Sequence, residues 1–451
     1  MANISENLST VKQSLIDIKN AIVDRGVTPT GNITTYAEAI YQLCLCGGSV
    51  EGKELYIENV GDSDGVFKLT KFGSPTYVPN LIYRIDNGEW FEYDVASLPS
   101  ITVPSGSKIY FRGNNANGFN QSTFYYYIFN FSTFFNIGGY ITSLLALDNF
   151  NTITDIPNYC FNLLFENQGS LRNAEDLIVN NIITVDDNGF DNCFSGCINL
   201  TTSPSFENVT IVGDYGFRRC FENCKSLTTA PNFSNVTTVG SNGFDFCFIS
   251  CTSLTTAPNF SNVTTVGSYG FESCFNRCSS LTTAPTFDKI KTIELDSFSS
   301  CFSGCSSLTT APTFKDVITV ENMAIAFCFQ NCTSLTTAPL FINLTTVNGD
   351  SFSHCFQNCT SLVNAPQFQN ITTINGNSTV SYNSFDNCFD GCTNLQVIYT
   401  PNISTWNTSM FSDWVKNVAP TGIIFKPTNL EIPLDSTSGI PTGWSVINYV
   451  E

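Results

Sequence analysis

The dipeptide Cys-Phe recurs at Cys193, Cys220, Cys247, Cys274, Cys301, Cys328 and Cys355 with a constant spacing of 27 residues, and once more at Cys388 after 33. A second cysteine follows each of them four residues on, from Cys197 to Cys392, and a degenerate copy opens at Cys160 with Leu164 in the second cysteine's place. A fixed period of this length constrains the fold more than any other feature. One unit cannot bury its apolar face alone, so neighbouring units must stack and complete one another's core. Eight repeats and an atypical leading one give a solenoid of about nine, spanning residues 148–400.

Within one unit, Leu281–Ala284 and Ile290–Ile293 are rich in Thr and β-branched residues and are bounded by Pro, so they read as very short strands. Phe298, Cys301, Phe302 and Cys305 are spaced i, i+3, i+4, i+7, which predicts one face of a short helix. Each unit is therefore expected to run strand, turn, strand, helix, giving a mainly β protein with short helices. The cysteines read as small buried hydrophobes. Helices packed about 8–10 Å apart would hold equivalent cysteines beyond disulfide reach. Zinc would need four convergent ligands, and His354 is the chain's only histidine. Cys44 and Cys46 form a lone C-x-C at a Gly47-Gly48 junction and carry no assigned chemistry.

The Ser-Leu-Thr-Thr-Ala-Pro and Phe-x-x-Cys-Phe-x-x-Cys units over residues 150–400 resemble BspA-type leucine-rich repeats of bacterial surface proteins and of gut-phage proteins. The 27-residue unit is longer than that family's usual unit of about 23. Residues 401–451 read as a C-terminal cap. Their Trp414–Ala419 and Gly439–Trp444 stretches resemble a closing segment that follows such arrays. The resemblance implies adhesion to surfaces, glycans or proteins, without catalysis.

The remaining chain differs in kind. In residues 1–48, Ile4, Leu8, Val11, Leu15, Ile18 and Ile22 form a heptad seam, Gly26 ends that helix, and Thr35–Glu38 caps a second one. The stripe reads either as a coiled coil, whose β-branched d positions favour a trimer, or as a helical hairpin. Val11–Ile22 and Thr35–Ile40 resemble the N-terminal segment of tail, head-fibre and appendage proteins of Bacteroidetes phages, including crAss-like phages, in which the N-terminus faces the particle. Residues 49–147 are predicted to form a small β-sandwich, with strands at Glu54–Val60, Val66–Phe72, Leu81–Tyr93, Ile101–Arg112 and Phe124–Phe131 and a hairpin at Asp86-Asn87-Gly88. Both faces of Phe124–Phe131 are apolar or aromatic. The segment is read as core or solenoid contact, with a carbohydrate platform as the alternative.

Composition narrows function. A net charge of −19 and a pI near 4.3 repel phosphate backbones and argue against nucleic acid partners. The sequence shows neither a basic, apolar leader nor an apolar run of roughly 18 residues, so neither secretory export nor membrane insertion is expected. Neither a cofactor nor a metal is expected, and the sequence carries no Walker, Rossmann, G-x-S-x-G or H-E-x-x-H motif. His354 shares its repeat position with Arg219, Phe246, Ser273, Ser300, Phe327 and Asn387, which is not how a ligand slot behaves. The Asn-Val-Thr sequons at Asn235 and Asn262 recur because the repeat recurs.

These readings predict a non-enzymatic virion appendage of a phage, made in the host cytoplasm, oligomeric through its N-terminus and displaying the solenoid to a host protein or glycan. A bacterial cell-surface adhesin is the second reading. A polysaccharide depolymerase using paired carboxylates is the third. The near-invariant Leu-Thr-Thr-Ala-Pro strand predicts a monotonous threonine face. The six extra residues of the last interval make Asn375, Asn377, Ser378, Thr379, Ser381 and Tyr382 the candidate recognition loop.

Overall fold

The computed structural model describes residues 52–74, 77–376 and 383–449. The seam residues Ile4, Leu8, Val11, Leu15, Ile18 and Ile22 lie outside the described residues, as do Asn377, Ser378, Thr379, Ser381 and Tyr382. The protein is mainly β. Its described helical content is two single 3₁₀ turns, Ile141–Leu144 and Phe150–Thr152.

The first part holds eight strands: β1 Leu55–Asn59, β2 Gly65–Phe72, β3 Ile82–Ile85, β4 Phe91–Glu92, β5 Ile101–Val103, β6 Lys108–Arg112, β7 Tyr126–Phe131 and β8 Phe135–Tyr140. One antiparallel sheet runs β8-β1-β6-β3-β4 and a second runs β5-β2-β7. Phe67 of β2, Phe111 of β6 and Phe129 of β7 meet between them, with ring centroids 4.6–5.3 Å apart. The expected hairpin closes where Gly88 N–H donates to Ile85 O at 2.9 Å and Asp86 adopts a φ of 47°.

In the solenoid, the strands Thr184–Val185, Ile211–Val212, Thr238–Val239 and Thr265–Val266 pair in parallel, each rung in register with the one 27 residues on. Thr292–Ile293, Thr319–Val320, Thr346–Asn348 and Thr373–Asn375 continue the pattern. In the middle rungs the other expected strand shrinks to isolated bridges, as in Thr256↔Thr283 and Thr283↔Thr310, while a later rung keeps the strand Asn364–Gln367.

The expected short helix is absent from the described repeats, and a ladder of tight turns stands in its place. Every fourth residue is left-handed, as at Tyr215, Arg219 and Asn223 with φ of 60°, 52° and 57°. The amides of Arg218, Cys220, Glu222 and Cys224 donate three residues back at 3.1–3.2 Å. Those of Phe217, Arg219, Phe221 and Asn223 donate to the next rung, to the carbonyls of Gly243, Asp245, Cys247 and Ile249 at 2.8–2.9 Å. A helix would spend all of these amides on carbonyls four residues back. Here half of them cement one rung to the next, and the backbone stays satisfied. The i, i+3, i+4, i+7 apolar pattern fits both geometries, because over eight residues a period of 4 is hard to separate from 3.6.

Rungs therefore lie much closer than packed helices. Phe217–Phe244–Phe271 and Phe221–Phe248–Phe275 form columns of parallel rings with centroids 5.4 Å apart. A third column, through Phe206 and Phe233, meets the first edge-on, as at Phe217–Phe233, 5.0 Å and 72°. All seventeen cysteines from Cys160 to Cys392 are buried and free. At this spacing, helix separation is not what keeps equivalent cysteines apart. The second cysteine of each pair has a definite partner, its thiol donating to a phenylalanine carbonyl, as in Cys251 Sγ to Phe221 O and Cys278 Sγ to Phe248 O, both 3.0 Å.

Both ends are closed. β8 pairs in parallel with Leu171–Asn173 and Leu177–Ile178, which welds the first part to the leading rung, and the buried side chains of both parts form one continuous cluster. At the other end the turn ladder continues, without cysteines, through Phe411 and Trp414, and Trp414 and Trp444 are held by their Nε1–H donors to Gly439 O and Ala419 O.

Candidate recognition surface

The two threonines of each Leu-Thr-Thr-Ala-Pro unit do different work. The first spends its hydroxyl on the stack. Thr255 donates both its N–H and its Oγ1–H to Thr228 O at 3.2 Å, and Thr282 does the same to Thr255 O. The second, at Thr229, Thr256, Thr283, Thr310 and Thr337, makes the bridge with its backbone and is exposed. This gives one row of outward hydroxyl groups, one per rung, on a rigid backbone.

The asparagine row is structural. Asn208, Asn235, Asn262, Asn343 and Asn370 donate their side-chain amides to carbonyls of the preceding rung at 2.6–3.0 Å. The nitrogen that a glycan would need at these sequons is already engaged. Asn375, the described member of the predicted loop, likewise continues a rung: it ends the strand Thr373–Asn375 and donates to Asn348 Oδ1 at 2.8 Å.

On the turn ladder, the position between each phenylalanine and its left-handed residue forms a charged column: Asp191, Arg218, Asp245 and Glu272 on successive rungs. Arg218 holds Asp191 in a two-pronged pair at 2.7 and 3.0 Å. Asp245 is 5% exposed and its Oδ1 lacks a hydrogen-bond partner. Burial, and then Glu272 on the next rung, push its carboxyl up to about 8. Burial and Asp296 raise Glu272 to about 7. His354 occupies a left-handed position, φ 53°, and stacks on Phe327 of the previous rung at 4.7 Å. The position that admits Arg, Phe, Ser and His is thus defined by backbone conformation, which explains its tolerance.

The aromatic strand divides by face. Tyr127, Phe129 and Phe131 are buried, and Phe129 meets Phe165 of the leading rung edge-on at 5.8 Å, the solenoid contact expected. Tyr126 stacks outside on Phe72 at 5.1 Å, and Phe124 just before it is exposed. Among the described residues, no group of three or more His, Cys, Asp or Glu is placed to hold a metal ion, and no helix is long and apolar enough to cross a membrane.

The pattern that defines the BspA-type leucine rich repeat region matches residues 190–326 and 326–419. Among solved structures, the chain is similar to a leucine-rich repeat protein from Bacteroides ovatus, with 15% identity over 65% of this chain and 78% of that one and a TM-score of 0.31. It is also similar to a leucine rich cell surface protein from Faecalibacterium prausnitzii, with 18% identity over 66% and 77% and a TM-score of 0.25. The curated proteins contain no match to this chain.

Proposed function

The chain belongs to the BspA-type leucine-rich repeat family, and from that premise we propose that it is a non-enzymatic attachment protein whose solenoid presents its threonine face to a host-surface protein or glycan. The observation that carries this is the row Thr229, Thr256, Thr283, Thr310 and Thr337, whose exposed hydroxyls are repeated once per rung on a backbone fixed by the neighbouring threonines. Such a surface offers hydrogen bonds without the entropy cost of ordering long side chains. Catalysis is not part of the proposal, because the titratable side chains on the turn ladder are occupants of repeat positions that other rungs fill with Ser, Ala or Phe.

We place the protein on a phage particle, as a homo-oligomeric, preferentially trimeric head or tail appendage. The support is the resemblance of Val11–Ile22 and Thr35–Ile40 to phage attachment segments. A bacterial cell-surface adhesin fits the repeat family equally, and immunogold labelling of purified particles and of cells separates the two. Attachment itself is tested by incubating the labelled full chain with gut Bacteroidetes cells. The triple variant T256K/T283K/T310K is expected to lose at least tenfold in bound protein with an unchanged melting temperature. Unchanged attachment would remove the threonine face from consideration.

A further inference from the structure

The threonine row ends, at its N-terminal side, in a cleft of about 400 Å³. It exists because the leading rung departs from the repeat. Asn173 bridges Thr202 and Ala174 N–H donates to Thr202 O, but the chain then turns away to pair Leu177–Ile178 with β8 instead of continuing through Pro-x-Phe. The step left behind is floored by Pro204 and Pro231 and walled by Thr202, Ser203, Ser205, Thr229 and Asn232, with Glu175 also lining it. Two of these hydroxyls are special to this place. Ser203 and Ser205 stand where the next rungs carry Ala230 and Ala257, and Asn232 and Asn259.

We propose that this cleft binds an uncharged sugar unit of a surface glycan, an inference that rests on the attachment function above and names its ligand class. The volume falls in the range of small-molecule sites. Thr202 Oγ1 is sealed from solvent, so this residue shapes the wall but offers no hydroxyl to a ligand. Ser203, Ser205 and Thr229 bring three side-chain hydroxyls to the wall of one space, beside the largely buried rings of Pro204 and Pro231. Apolar faces edged by hydroxyls match a sugar ring. An extended peptide fits poorly, because Pro204 and Pro231 have no N–H to offer a β-ladder. Glu175 and the net charge of −19 disfavour uronic or sialic acids.

The test is to present the full chain to immobilised neutral hexose and N-acetylhexosamine oligosaccharides, beside sialylated and uronic-acid oligosaccharides as the anionic set. Binding to at least one neutral class is expected, reduced tenfold or more both by Ser203→Ala, which installs the residue the next rung carries, and by the cleft-filling Ser205→Trp, and retained by Thr393→Val on an exposed turn elsewhere. Melting temperatures within a few degrees of wild type confirm folded variants. Absence of neutral binding, binding confined to the anionic set, or full binding by both cleft variants each overturns the proposal. If wild type adheres to cells and both cleft variants adhere equally, the cleft is wrong and the attachment function stands. If wild type adheres to no cell yet binds neutral oligosaccharide in a way both cleft variants abolish, the cleft stands and the attachment function falls.

Discussion

The two-sheet part and the solenoid share one core but are held together by opposite means. In the first, polar contacts are unique and join distant segments. Glu54, fully buried, is paired with both Arg84 and Arg112, and those guanidiniums flank Trp90 at 5.1 and 4.9 Å from its ring. Asn120 ties Tyr127 and Asn162. In the second, a few contacts recur from rung to rung: a phenylalanine stack, a thiol on a carbonyl, a threonine on a threonine. The difference is one of cooperativity. A unique network fails as a whole, whereas a solenoid's stability is a sum over rungs and nearest-neighbour interfaces.

That contrast is broken most directly by two substitutions of similar cost and different reach. Glu54→Ala leaves the buried Arg84 and the half-buried Arg112 without their carboxylate and is expected to cost about 3–5 kcal/mol. Phe248→Ala removes a ring stacked between Phe221 and Phe275 and should cost about 3–5 kcal/mol as well. Hydrogen exchange should show protection lost across all eight strands for Glu54→Ala, but only in the rungs adjoining residue 248 for Phe248→Ala. Loss spread evenly along the solenoid in the second variant would refute the additive picture.

Charge sharpens the comparison next. The carboxyls held above their ordinary range lie in the solenoid, among them Asp245, Glu272 and Asp296, raised chiefly by burial. With folded values of about 8 and 7 against unfolded values near 4, the native state binds more protons between these limits. Stability therefore falls as pH rises from about 4 to 8 and levels off above. Urea midpoints should be higher at pH 5 than at pH 8, and Asp245→Asn should flatten the slope. A midpoint that rises with pH would contradict the burial of this column.

Much of this was legible in the sequence, for a physical reason: periodicity reports which side chains share a face, and stacking follows from that. The hairpin at Asp86–Gly88 was equally readable; the aromatic strand was read as core or solenoid contact as a whole, without the division that buries Phe129 and exposes Phe124. The turn ladder was not, since eight residues of apolar pattern cannot tell a turn repeat from a helix. The discriminating signal was present in Asn188, Asn192 and Gly196, residues tolerant of left-handed backbone at every fourth place, but Tyr215, Arg219 and Phe246 at equivalent places concealed it. Strand β8 was not among the expected strands. It contains Gly139, which has a φ of 75° and lies where a Cβ would run into the Glu54 carbonyl. The cleft at Thr202 depends on where the leading rung turns away, which no repeat pattern encodes.

The thiols give a smaller effect. Burial raises the Cys251 and Cys278 thiols well above the usual range, so the reactive thiolate is scarce. Ellman titration of the folded chain should leave the solenoid cysteines unmodified over hours and release them in denaturant. Cys251→Ala should cost about 1 kcal/mol, because Phe221 O keeps its bond from Cys224 N–H when the thiol is gone.

The smallest effect separates two adjacent threonines. Thr282→Val removes a hydroxyl that donates to Thr255 O on a solvent-facing edge, a bond worth about 0.5 kcal/mol there, part of which valine's preference for extended backbone offsets. Thr283→Val removes an exposed hydroxyl with no role in the stack and should leave the urea midpoint where it was. Measured on one rung, the difference is near the limit of detection. Made on Thr255, Thr282, Thr309 and Thr336 together, whose hydroxyls each donate to the preceding rung, it should add to about 1 kcal/mol if rungs are independent. The matching set at Thr256, Thr283, Thr310 and Thr337 should stay near zero in stability and act on attachment alone. Equal destabilisation by the two sets would mean that the outer row is part of the scaffold, leaving the solenoid without a face reserved for a partner.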